Sequence, residues 1–414
     1  MGKKRSPGRQ FEWLWAAFAV STFGTWLAFD AFTLIAILVL HVGPTGVSLL
    51  AAAGLTVGAA AAVPLGPWVE FRRKRPVMVA ADLVRFAVLT SVPVAFVLGR
   101  LSLAQLLVVA VITAAADITF TAAGGAYLKT LVAPEHLLVA NARFESTTWT
   151  ATVLGPALGG AAIGLFGPVV TVLANAVSYL LSAAGIGAIG GGEPRPVRPA
   201  DARPRAGAVL EGWRHILGHP ALRPLFFNTV LVNGLIMAST PLLAVLMLGP
   251  LGFAPWQYLL GFALPCLGGL LGSRLARPLV ARFGQRRMLL TAGTLRACWS
   301  VGLAFVGPGA GGLLLVVAVE FVLITCMGVF NPVFATYRLE QTATDRVTRT
   351  LSAWSVTAKA SVAAMTALWG LLAGLTGPRT AIAVAGLLLL ATPLLLPRAE
   401  PAAHPAREKV LGPG

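Results

Sequence analysis

Read from its amino terminus, the chain is a succession of apolar runs. Each is near the roughly twenty residues that an α-helix needs to cross a hydrocarbon core. No other feature restricts the fold as much, because a segment in lipid must satisfy its own backbone hydrogen bonds and so has to be helical. Twelve such runs fall at about 12–40, 47–68, 76–98, 102–128, 138–166, 168–190, 225–248, 256–279, 287–306, 311–337, 348–375 and 378–396. Short Gly- and Pro-bearing gaps separate them, among them HVGPTG at 41–46, FGP at 166–168 and TGP at 376–378, so successive helices are expected antiparallel. Composition agrees: 57% of residues are hydrophobic and 11% charged, where soluble chains carry about 25% charge.

Charge sets the orientation. Lys and Arg mark the amino terminus and every second gap: Arg72, Arg73, Lys74 and Arg75; Lys129; Arg195 through Arg223; Arg274 through Arg287; Arg338, Arg346 and Arg349. The intervening gaps hold only Arg100 and Arg379. By the positive-inside bias both termini and the basic loops are expected in the cytoplasm, which requires an even number of spans. A multi-pass protein of a bacterial inner membrane is the expected setting. The net charge of +17 lies in these short clusters rather than on a soluble face, which argues against nucleic-acid binding. Lys3, Lys4 and Arg5 precede a run too long for a signal peptide and without a small-residue cleavage pattern. Cys266, Cys298 and Cys326 stand singly in apolar runs, so neither a disulfide framework nor a metal site is expected, and no cofactor is implied.

The longest basic gap, 191–224, begins with EPRPVRPADARPR, which cannot build a core. It then turns amphipathic: Val209, Leu210, Trp213, Ile216 and Leu217 share one helical face, as in a short interfacial helix. The sequence either side of it repeats. A shift of about 210 residues lays GLFGP (164–168) on GLTGP (374–378) and the tyrosine of GGAY (127) on that of FATY (337). One residue more lays RPVMVAADLVRF on RRMLLTAGTLRA, pairing Arg85 with Arg296 and Pro67 with Pro278. The expected organisation is a six-helix bundle over 1–190, a linker over 191–224, and a second bundle with a tail over 225–414.

Three stretches, GPWVEFRRKR (66–75), RPLVARFGQRR (277–287) and GPALGG (155–160), resemble the major facilitator superfamily. The first is similar to that family's loop between helices 2 and 3: Gly66, Lys74 and Arg75 match. Glu70 replaces the usual Asp, Phe71 the first Arg, and Arg73 the Gly. The third, with Gly155, Pro156, Gly159 and Gly160, is similar to the fifth-helix motif of the family's antiporters, although Ala142 and Ala151 stand where that motif has two further glycines. The run NARFESTTWTATVLGPALGGAAIGLFGP, with GWRHILGHPALRPL after the linker, is closest to the branch of macrolide-efflux proteins and siderophore exporters. The family's usual helix-4 Arg is absent. The resemblance implies an all-α membrane protein of twelve transmembrane helices in two pseudo-symmetric bundles, with helices 1, 4, 7 and 10 lining a central cavity. A basic loop is first a topology anchor, but Gly66, Glu70, Arg72, Lys74 and Arg75 are also candidates for a cytoplasmic gate, and Asp82 and Arg85, three residues apart, are expected either to pair locally or to join it.

The remaining interior charges are the functional candidates. A carboxylate near the bilayer centre costs about 2.5 to 3.5 kcal/mol on insertion scales and should face protein or a wet cavity. Asp30 lies roughly 15 Å from the outer end of its run at 1.5 Å per residue, on a polar stripe with Thr22, Trp26 and Thr33. Thr113, Asp117 and Thr121 form a second stripe, Asn233 and Met237 belong to a third, and Glu320 and Asn331 to a fourth; Lys359 sits on a polar stripe of run 11. Asp30, Asp117 and Glu320 are candidates for proton coupling, since desolvation lets a carboxyl exchange protons near neutrality. The alternative is that Asp30 or Asp117 is fixed by Lys359 or Arg143. Arg143 and Glu145, near the basic end of run 5, are expected to snorkel or pair at the gate. There is no HExxH, no Walker loop and no nucleophile paired with histidine; His41, His136, His215, His219 and His404 fall in loops or at helix ends. The expected activity is proton-coupled efflux of a small amphiphilic compound by a monomer. A siderophore exporter, a gradient-independent facilitator and a lipid flippase are the alternatives.

Overall fold

A computed structural model describes residues 8–28, 31–41, 50, 57, 60, 64–193 and 210–397. The helices are α1 Arg9–Leu27, α2 Ala31–Leu34, α3 Leu65–Glu70, α4 Lys74–Val97, α5 Leu103–Leu131, α6 Leu137–Phe166, α7 Pro168–Gly187, α8 Glu211–Gly218, α9 Leu222–Leu248, α10 Pro255–Phe283, α11 Gln285–Cys298, α12 Gly309–Glu340, α13 Val347–Thr376 and α14 Pro378–Ala391. No strand occurs among the described residues.

Ten helical segments among the described residues are long and apolar enough to cross a membrane. α10, a continuous 29-residue helix, stands where the eighth run was expected. Of the second run, most lies outside the described residues, and α3 is its end. In the first run α1 ends at Leu27 and α2 begins at Ala31, with residues 29 and 30 outside the described residues, and α2 continues into a π turn over Ile35–Val39. Asp30 lies outside the described residues.

The junctions explain where helices stop. Gly167 (φ 81°, ψ 163°) and Gly377 (φ 86°, ψ 155°) share one backbone conformation, each followed by a proline in the first turn of the next helix. That region of φ,ψ space is open essentially to glycine alone. Proline at the first helical position removes a donor that would be orphaned in any case. The matched pair GLFGP and GLTGP therefore repeats in geometry as well as in letters. So does a buried contact: the Arg85 guanidinium lies 4.6 Å from the Phe120 ring centre, and Arg296 lies 3.5 Å from that of Phe330.

Helices α1, α4, α5, α6 and α7 pack among themselves, and α9 to α14 do likewise. Contact between the two sets runs along α6 against α10 and α12, α5 against α13, and α3 against α13. Close approach is possible where a facing residue is small: a side-chain carbon on Gly125 of α5 would come within 2.3 Å of Leu351 Cδ1 of α13. The amphipathic stretch after the linker forms α8, with Leu210 and Leu217 exposed and Ile216 buried; Val209 lies outside the described residues. It docks on α13, where Gly212 touches the Arg349 carbonyl and Trp213 Nε1 donates to Thr357 Oγ1 at 2.8 Å.

Candidate functional site

The seam between the two helix sets holds most of the interior charge. Asp117 is the middle residue of the 29-residue α5. Lys359 of α13 donates to its Oδ2 at 2.9 Å, and Arg85 of α4 stands 3.6 Å from its Oδ1. Arg85 also pairs with Asp82, its neighbour one turn earlier, and its guanidinium lies 4.2 Å from the Tyr179 ring centre. The result is a line of alternating charge, Asp82, Arg85, Asp117, Lys359, with no net charge, crossing from one set to the other. Its two ends differ. The side chains of Asp82 and Arg85 are 0% and 4% exposed, whereas those of Asp117 and Lys359 are 47% and 31% exposed. Asp82 and Arg85, grouped with the gate on sequence grounds, lie deeper than that and join Asp117 instead. Of the pairings left open, Asp117 goes to Lys359, while Arg143 goes to Glu12 at 2.6 Å, over Phe11 and Trp15.

A second constellation lies nearer the basic end. Glu145 Oε1 accepts from Trp149 Nε1 at 2.8 Å and from Asn331 Nδ2 of α12 at 2.7 Å. Among the described residues no cation pairs with it. This corrects the expectation of snorkelling: the carboxylate is turned into the seam. Beside it Asn141 donates to Thr336 Oγ1 at 2.9 Å, and the Ser146 and Ser273 hydroxyls are 2.7 Å apart. The Trp149 ring lies flat on Gly269, where an added side-chain carbon would fall 2.2 Å from it.

The basic end itself is shut. Arg349 pairs with both Glu70 of α3 and Glu211 of α8. Lys129 Nζ reaches the carbonyls of Leu339 (2.5 Å) and Thr342. Lys74 Nζ, buried, donates to the carbonyls of Val69, Glu70 and Arg72 and so closes α3 against α4. Glu193 accepts from the backbone N–H of Lys74 and of Arg75, whose guanidinium in turn reaches the Ile186 carbonyl at 3.0 Å. Arg72 is exposed, and Gly66 lies in α3. Burial pushes the Glu70 carboxyl up to about 7, outweighing the opposing pull of Arg349. Every hydrogen bond and ion pair between the two sets, among the described residues, lies between the midplane and this end.

The other candidates scatter. Trp26 backs onto α6, where a side chain at Gly155 would meet its Cβ at 2.4 Å; Gly159 lies against the Leu27 carbonyl, while Gly160 faces open space and Pro156 lies inside the helix. Thr22 and Thr33 are half-buried on α1 and α2. The Thr113 hydroxyl is buried without a partner. Asn233 is half-buried and Met237 exposed on α9. Glu320, half-buried on the half of α12 away from the basic end, makes no hydrogen bond or ion pair among the described residues. Thr121 lines a cavity of about 190 Å³ at the seam, whose wall also includes Phe18, Asn141, Phe144 and Arg338. Arg338 was read as part of a basic loop, and nothing in its spacing marks it as interior.

A helical seam closed at one end and crossed by an ion pair at mid-membrane is the architecture of a transporter rather than of an enzyme. The sequence matches the Major Facilitator Superfamily over residues 14–338, and the chain belongs to that family. A comparison with curated proteins finds no significant match. Among solved structures, the chain is similar to a bacterial homologue of the iron transporter ferroportin in its outward-facing state. The TM-score is 0.79 at 17% identity, over 94% of this chain and 98% of that one. It is also similar to the human organic anion transporter MFSD10 (TM-score 0.75, 14% identity, 93% and 99% covered) and to the E. coli fucose:proton symporter (0.69, 14%, 94% and 98%). At these identities the likeness is one of fold.

Proposed function

We propose that the protein exports a small amphiphilic compound across the cytoplasmic membrane in exchange for protons, by alternating access. The observation that carries this reading is the half-exposed Asp117–Lys359 pair joining the two helix sets at mid-membrane. Neutralising Asp117 removes the partner of Lys359, leaves a charge uncompensated at the seam, and so favours separation of the sets; deprotonation restores the contact. The rocking bodies are residues 1–190 and 225–414, with 191–224 as the tether. With the basic loops in the cytoplasm, the closed basic end makes this the outward-facing state. Asp30 and Glu320 remain candidates for a second protonation site, one on its polar stripe and the other on its lack of a partner.

The test uses inside-out vesicles with an acidic lumen and three labelled probes: erythromycin, ethidium and benzoate. The wild type is expected to accumulate at least one of them, with accumulation lost when the pH gradient is collapsed and in Asp117→Asn at equal abundance. Accumulation that survives either change contradicts proton coupling through Asp117.

A further inference from the structure

The interior arginines are accounted for with one exception. Arg85 has Asp82 and Asp117, Arg143 has Glu12, Arg349 has Glu70 and Glu211, and Arg296 donates to Asn228 Oδ1 at 2.6 Å. Arg338 makes no hydrogen bond or ion pair among the described residues. Its guanidinium lies 4.9 Å from the Phe334 ring centre and 5.1 Å from that of Trp354, and its Nε is buried without a partner. A guanidinium carries five donors and no acceptor. Ring faces attract its charge but satisfy none of those N–H groups in their plane, and a buried cation without an anion is strongly disfavoured.

The same arginine opens on the seam cavity of about 190 Å³. Phe18 of α1, Phe120 of α5 and Phe144 of α6 give it apolar walls, Thr121 and Asn141 supply neutral polar groups, and no carboxylate lines it. At about 30 Å³ per water in the liquid, the space is that of roughly six waters, which is the size of one ring with a small acidic group. Both helix sets contribute to the wall, so a bound molecule would touch each.

We propose that this cavity is a binding site for a small monoanionic amphiphile, with its carboxylate on Arg338 and its apolar body against Phe18, Phe120 and Phe144. The inference rests on the reading of the seam as the transport path, and it makes the cargo an organic acid rather than a cation. A cationic ligand of the same shape is excluded by the charge of Arg338. Between the two phases of transport, the anion takes the place of the protein carboxylate that Arg338 lacks.

The experiment is equilibrium binding of tritiated benzoate to the purified full-length chain, with unlabelled benzoate and benzylamine as competitors and no pH gradient. Saturable binding that benzoate displaces and benzylamine does not is expected, weakened at least tenfold in Arg338→Gln. Gly124→Leu gives an independent check. A first side-chain carbon there meets only the Met78 Cε, at 3.4 Å, and Gly124 is itself part of the cavity wall, so the longer side chain takes up space in it. It should abolish binding while the variant elutes as the wild type does. No saturable benzoate binding by the wild type, equal competition by benzylamine, or undiminished binding in Gly124→Leu overturns the proposal. Because no gradient is applied, a negative result leaves proton coupling through Asp117 standing, and loss of coupling in Asp117→Asn leaves the binding site standing.

Discussion

Asp117 and Lys359 carry opposite charges on different helix sets, and each is visible in the sequence as a charge inside an apolar run. Their partnership is one of several pairings the sequence leaves open, because 242 residues separate them and either could have turned to another neighbour. Lys359→Met should therefore resemble Asp117→Asn, cutting gradient-driven accumulation at least tenfold in vesicles, since either change leaves its partner unpaired at the seam. A variant retaining near wild-type accumulation would reduce the pair to an assembly contact. Glu145 and Arg338 were less legible for a physical reason: a charge within about two turns of a run's end has the same sequence appearance whether it snorkels or turns inward. The glycines of GPALGG were legible as a motif but not individually. In the structure, a carbon on Gly159 would fall 2.1 Å from the Leu27 carbonyl oxygen, while Gly160 has nothing within 4 Å. Gly159→Ala should cost about 1 to 3 kcal/mol by forcing α1 off α6, and Gly160→Ala close to nothing, as read from thermal unfolding in detergent.

At the scale of elements, the run-and-gap pattern located most helices to within a few residues, because apolar length and Gly-Pro punctuation act locally. It did not find the docking of α8 on α13, which is set by neighbours distant in sequence. The Gly-Pro junctions are a direct test of local coding. Gly167→Ala places a side chain at φ 81° and ψ 163°, and strain of about 1 to 3 kcal/mol is expected, read as a lowered unfolding temperature. The gate between α3 and α13 should respond to pH. Glu70 is held near 7 when buried beside Arg349 and returns toward the ordinary glutamate range when the gate opens. The closed form thus binds the proton more tightly, so acid favours closure and a rise through pH 7 favours opening. Thiol labelling of a cysteine placed behind the gate, taken relative to a free thiol at the same pH to remove the rise in thiolate, should speed up between pH 6 and 8 in the wild type and become flat with pH in Glu70→Gln; a relative rate already flat in the wild type contradicts this assignment.

For the whole molecule, the repeat at about 210 residues was the most informative feature of the sequence, because it implied two related bodies before any contact was known. The Gly167 and Gly377 junctions and the Arg85–Phe120 and Arg296–Phe330 contacts repeat with it. Where the halves differ, function is expected. Asp82 and Asp117 surround Arg85, but Gly293 and Met327 occupy the corresponding places around Arg296, so among the described residues the first half alone presents a carboxylate to its partner at mid-membrane. The most direct measurement is the distance between spin labels across each end of the seam, in a background lacking Cys266, Cys298 and Cys326. One pair replaces Arg73 and Arg287 at the basic end, the other Leu165 and Leu375 at the opposite end. With Glu70→Gln present to remove the gate's own, opposite response to pH, acidification is predicted to lengthen the first distance and shorten the second, with neither moving once Asp117→Asn is added. Distances that stay fixed in the Glu70→Gln background, or that change together in the same direction, contradict alternating access driven from Asp117.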